Sequence, residues 1–65
     1  GTTAFTLQTL GRVQRDTGVL DSARVNLEQS LQLWRNLQSG ADVVDNLNDL
    51  AGVCRQQQDY FNARK

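Results

Sequence analysis

Few residues in this chain are equipped for chemistry. It has no His, so the commonest general base and metal ligand is missing. One Cys excludes an internal disulfide and any multi-Cys zinc site. Cys54 has only Arg55 beside it to stabilise a thiolate. Its place in step with Val43, Leu47 and Leu50 predicts a buried, inert thiol. Asp42, Asp45 and Asp49 could gather carboxylates for a cation. They lie on a helix start rather than in a loop with the 1-3-5 spacing and Gly turn of a calcium site, so capping and solvation are expected instead. Trp34 follows Leu27 and Leu31 on one stripe, which predicts packing rather than an exposed binding anchor. Gln56-Gln57-Gln58 is a solvated helix end, too short for a low-complexity tract. No enzyme, cofactor or metal function is expected.

The elements that carry these residues are helical. Pro is absent and Gln, Leu, Arg and Ala are frequent. Ala4, Leu7, Leu10 and Gln14 share one face at helical spacing, with Gly11 and Val13 beside them. Leu20, Ala23, Leu27, Leu31 and Trp34 form a second stripe, and Val43, Leu47, Leu50 and Cys54 a third, flanked by Val44 and Ala51. No stretch alternates long enough to make a strand. The spacing predicts helices over roughly 3–17, 20–37 and 42–57, and a short fourth from about 60. Thr17-Gly18 and Ser39-Gly40 should end the first two helices, with Asp42 as N-cap of the third. Links this short force antiparallel neighbours.

Sixty-five residues make one small domain, with Leu, Val and Phe about a quarter of the chain, above the level expected of a disordered segment. Seven basic and seven acidic residues cancel, so there is no electrostatic footprint for nucleic acid or an anionic membrane. No apolar run approaches the length of a membrane span. A single free thiol fits a reducing, cytoplasmic setting.

A shift of 40 residues lays the chain on itself. Leu7 meets Leu47, Leu10 meets Leu50, Gly11 meets Ala51, Val13 meets Val53 and Arg15 meets Arg55. Further on, Leu20 meets Tyr60, Ala23 meets Ala63 and Arg24 meets Arg64. The packing positions repeat and the surface drifts. Leu-x-x-Leu followed by a very small residue puts a close-approach point on a helix face, and Ala23 places another on the return helix.

This pattern resembles the tetratricopeptide repeat, whose helix–turn–helix unit carries a Leu-Gly pair, a Gly-Asp-Tyr-like turn and an Ala on the second helix. Leu10-Gly11, Gly18 and Ala23 supply the first copy; Leu50-Ala51, Asp59-Tyr60 and Ala63 supply the second. The resemblance covers nearly the whole chain. It implies an all-α fold of antiparallel helical hairpins from an α-solenoid, about 1.6 repeats long: repeat one over 3–40 and partial repeat two over 42–65. The period is longer than the usual repeat of about 34 residues, Leu7 and Leu47 replace the family's aromatic, Gln58 stands at the turn Gly, and the closing Pro is missing. These departures resemble the long-helix subgroup, which includes kinesin light chains, polarity adaptors that bind G-protein subunits, and repeat tails of bacterial regulators. The run Leu27–Arg35 is most similar to bacterial repeats attached to ATPases, regulators and proteases.

The resemblance implies a scaffold that binds a protein or peptide in a groove lined by the first helix of each repeat. The positions that would face that groove are Gln8, Arg12, Asn48 and Gly52, with Arg15 and Arg55 one turn further. Family members that grip a peptide carboxylate use Lys, Asn and Arg there; here the Lys is missing. The alternatives are a self-associating helical bundle, or a regulatory segment of a larger ATPase, protease or transcriptional regulator. A chain with this few repeats is expected to need neighbouring repeats or a homo-oligomer to complete its core.

Overall fold

The computed structural model describes residues 3–63. Among these, three helices follow in order: α1 (Ala4–Asp16), α2 (Leu20–Asn36) and α3 (Gly40–Ala63). There is no strand among the described residues. Helix α1 packs along α2, α2 packs along α3, and α1 and α3 touch at few points. The body is elongated, 41 × 21 × 13 Å.

The helix ends follow from local chemistry. The Thr3 hydroxyl accepts a hydrogen bond from the Thr6 amide at 3.1 Å and caps α1. Gly18 adopts φ 84°, and the amide of Val19 bonds back to the Gln14 carbonyl at 2.8 Å, which closes the helix with a left-handed residue. The second turn repeats this geometry with a different residue. Gln38, not Gly40, takes the positive φ of 57°, and the Ser39 amide reaches the Trp34 carbonyl at 3.1 Å. Gly40 is thereby freed to open α3. Asp42 lies inside the first turn rather than at the cap, where it accepts a hydrogen bond from the Ser39 hydroxyl and sits at the positive end of the helix dipole.

The expected break near residue 58 is absent. Helix α3 is continuous over 24 residues and no separate fourth helix forms within them. The physical reason is in the sequence: Gln56, Gln57, Gln58 and Asp59 include neither Gly nor Pro, and Gln is a good helix former.

The core is small. Ala23, Leu27 and Val53 are wholly buried together, with Leu20 and Leu50 packed against them, and Ala4 is buried on α1. Gly11 is the close-approach point. A Cβ there would lie 2.6 Å from Leu27 Cγ and 3.2 Å from the Ala23 carbonyl oxygen, so only glycine lets α1 and α2 come together at this distance. On α1 the inward positions are Ala4, Gln8 and Gly11, while Leu10 and Val13 face outward.

Between α2 and α3 the buried contact is partly polar. The Asn46 amide donates to the Leu27 carbonyl at 2.7 Å, and the Ser30 hydroxyl lies against both the Asn46 side-chain oxygen and that same carbonyl. Both side chains are fully buried, and no buried side-chain polar atom lacks a partner among the described residues.

Two expectations about α3 are corrected. Cys54 is exposed, not buried. Ala51 is exposed too, although Gly11, its counterpart under the 40-residue shift, is buried. Both residues lie on a side of α3 that α2 does not reach, and a continuous α3 cannot fold back to cover it.

Candidate functional site

The polar side chains of α1 converge on one carboxylate of α3. Asp49 Oδ2 accepts from Arg12 Nε at 2.7 Å and from Gln8 Nε2 at 3.0 Å; Asp49 Oδ1 accepts from Arg15 Nη1 at 3.4 Å. The Asp49 side chain is only 13% exposed, so these bonds are largely shielded from water and from salt. Gln8 is buried and links the cluster to α2: its Oε1 accepts from the Trp34 indole at 2.9 Å. A single chain of hydrogen bonds therefore runs Trp34–Gln8–Asp49–Arg12/Arg15 across all three helices.

Helical spacing explains the convergence. Gln8, Arg12 and Arg15 lie at steps of four and three, on the flank of α1 that turns toward α3. Asp49 lies between Asn46 and Val53, the two buried residues of α3, and so projects inward. Gly52, one turn on from Asp49, lies beside the Arg15 side chain; a Cβ there would sit 3.4 Å from Arg15 Nη1, an ordinary contact.

Of the six residues expected to line a groove, the structure brings four together: Gln8, Arg12, Arg15 and Gly52 surround Asp49. Arg12 keeps much of its side chain in solvent, Arg15 is half-buried, and Gln8 is buried and engaged by Trp34 and Asp49. Asn48 and Arg55 are exposed and lie further round α3, away from the cluster. Trp34 is half-buried and packs inward as its stripe predicts, with its indole N–H satisfied.

The residue that sequence reasoning missed is Asp49 itself, which was grouped with Asp42 and Asp45 as a capping cluster. The available signal was its position. A carboxylate in step with Val53 and one residue from Leu50 falls on an inward face and must find donors there. The Ser30–Asn46 junction carried the same signal, with Ser30 one turn after Leu27.

Among the described residues no group of three His, Cys, Asp or Glu side chains is placed to hold a metal ion. No helix among them is long and apolar enough to cross a membrane. A shallow cavity of about 420 Å³ lies between the α1–α2 turn and the distal end of α3, lined by Gly18, Leu20, Asp21, Gln57, Tyr60 and Phe61. No family model, curated protein or solved structure matches the chain.

Proposed function

We propose that this chain is a helical interaction module of the tetratricopeptide-like, long-helix kind. It holds a protein or peptide partner on the α1/α3 face without catalysing a reaction. The observation that carries the reading is the arrangement around Asp49. It holds Arg12 with part of its side chain in solvent, and Asn48 and Arg55 are exposed further round α3. Guanidinium and amide groups held on a rigid framework offer donors to main-chain carbonyls and to acidic side chains.

A pinned Arg12 loses less side-chain entropy on binding than a free one, which favours a rigid, pre-organised face over an adaptive one. The expected partner is an extended segment that is polar or weakly acidic, because the cationic charge of Arg12 and Arg15 is already partly answered by Asp49. A cytoplasmic setting is part of the same proposal.

The test is a synthetic peptide array spanning acidic, neutral and basic decamers, probed with the wild type and with Arg12→Ala, Asn48→Ala and Arg55→Ala. Binding that prefers acidic peptides and is lost in these variants, but kept in Val25→Ser on the back of α2, supports the reading. Binding abolished by Val25→Ser and indifferent to the other three overturns it.

A further inference from the structure

We infer that the outward band of α3 is a homodimer face, on which α3 of a second copy packs antiparallel. This goes beyond the proposed peptide-binding face, which the band adjoins at Arg55.

Placed at 100° per residue around the α3 axis, Val44, Leu47, Ala51, Cys54, Gln58 and Phe61 fall in one band beside the α2 contact. All six are exposed; Leu47 is 44% and Phe61 70% open to solvent. No charged residue lies within the band. Asp42, Asp45, Asp49 and Asp59 are elsewhere on the helix, and Arg55 stands at the edge.

The chain itself indicates what such a band receives. On α1, the face toward α2 comprises Ala4, Leu7, Gly11 and Gln14; Gly11 touches Leu27, and Gln14 accepts from Asn26 at 2.6 Å. The 40-residue shift carries those four positions onto Val44, Leu47, Ala51 and Cys54. Helix α3 thus repeats a helix-receiving face, with its small residue in place, and no described residue covers it.

A second copy of α3 complements this band. A two-fold antiparallel pair centred between Ala51 and Cys54 sets Val44 against Phe61 of the second copy, Leu47 against Gln58 and Ala51 against Cys54. No like charges meet along that seam. The small residues sit at the crossing, where the backbones come closest, and the bulky ones fill the ends. The need is also present: among the described residues the buried apolar side chains are Ala4, Ala23, Leu27 and Val53 alone, a slender core.

Sedimentation equilibrium on the full 65-residue chain tests this. A dimer at tens of micromolar is expected, with association weakened on the order of a hundredfold by Leu47→Glu, which buries an unpaired charge, and unchanged by Leu10→Glu on the outer face of α1. In a Cys54→Ser background, a nitroxide on Asn48→Cys beside the band reports the pairing even if Leu47→Glu fails to fold; one short inter-copy separation, as for helices about 8–10 Å apart, is expected. A monomer up to hundreds of micromolar, growth beyond a dimer, loss of association in Leu10→Glu but not Leu47→Glu, or labels far apart would each overturn the inference.

Discussion

Helices α1 and α3 carry matching sequences and meet different fates. Gly11 on α1 lies beneath Leu27 and Ala23; Ala51 on α3 faces solvent. Leu7 is half-buried and Leu47 largely exposed. The comparison separates two ideas that are easily merged. A small residue in a Leu-x-x-Leu-small pattern permits a close approach, but the approach happens only where a second helix is delivered. Gly18 turns the chain back after α1 and so delivers α2. After α3 begins, the Gln-rich stretch keeps the helix going, and among the described residues no turn brings a partner.

The largest test of this contrast concerns leucines. Leu27→Ala removes a fully buried side chain and should cost about 2–5 kcal/mol, enough to unfold a domain with so small a core. Leu47→Ala, on the open face, should cost under about 1 kcal/mol. Urea melts at low protein concentration measure both, and equal costs would mean that the two faces are equally packed.

Next come the small residues. Gly11→Leu places atoms where Leu27 and the Ala23 carbonyl already are, and should cost about 1–3 kcal/mol or more. Ala51→Leu meets no neighbour within the monomer and should change its thermal stability by at most about 0.5 kcal/mol.

A smaller effect sharpens the comparison between α1 and α3 as partners. Asp49→Ala leaves the buried Gln8 amide and two guanidinium groups without their acceptor and should cost about 1–2 kcal/mol, since Arg12 can still turn to water. The loss should be accompanied by a change in Trp34 fluorescence, because Gln8 joins the two sites. An unchanged emission spectrum would show that the link through Gln8 is dispensable.

Cys54 gives the finest measurement. Its thiol should react with a maleimide at nearly the rate of an unstructured peptide in dilute solution, and more slowly as concentration rises and copies pair. A slow rate at every concentration would show that the monomer already covers this face.

The parts of the fold legible in the sequence were those governed by neighbours in the chain. Gly18 and the steps through Ala23 and Leu27 place the first hairpin because turn chemistry and helical period are local properties. Cys54 was misplaced for the opposite reason. Its stripe is apolar, and an apolar stripe states a demand for cover without saying whether the monomer meets it. The break expected near Gln58 came from the spacing of the apolar residues, yet the local residues there favour helix and prevail. Of the candidate site, Gln8, Arg12, Arg15 and Gly52 were singled out by the repeat resemblance, as positions facing a groove. Asp49 was not, because its donors lie 34 to 41 residues away in sequence.

The Ser30–Asn46 junction bears on how α3 can move. Helices joined by apolar contacts alone may slip by a turn at modest cost, since one leucine replaces another. Asn46 denies that freedom: a one-turn slip would strip its amide of the Leu27 carbonyl and strand it in a dry interface. Asp49 and Val53 fasten the next two turns. Beyond them the attachment is lighter, with Gln57 bonded to Asp21 at the surface and Phe61 in solvent. Helix α3 is therefore a lever clamped at its base. Its near half is indexed to α2 like a key in a slot, so a load applied near Phe61 acts as torque about Val53 and not as sliding.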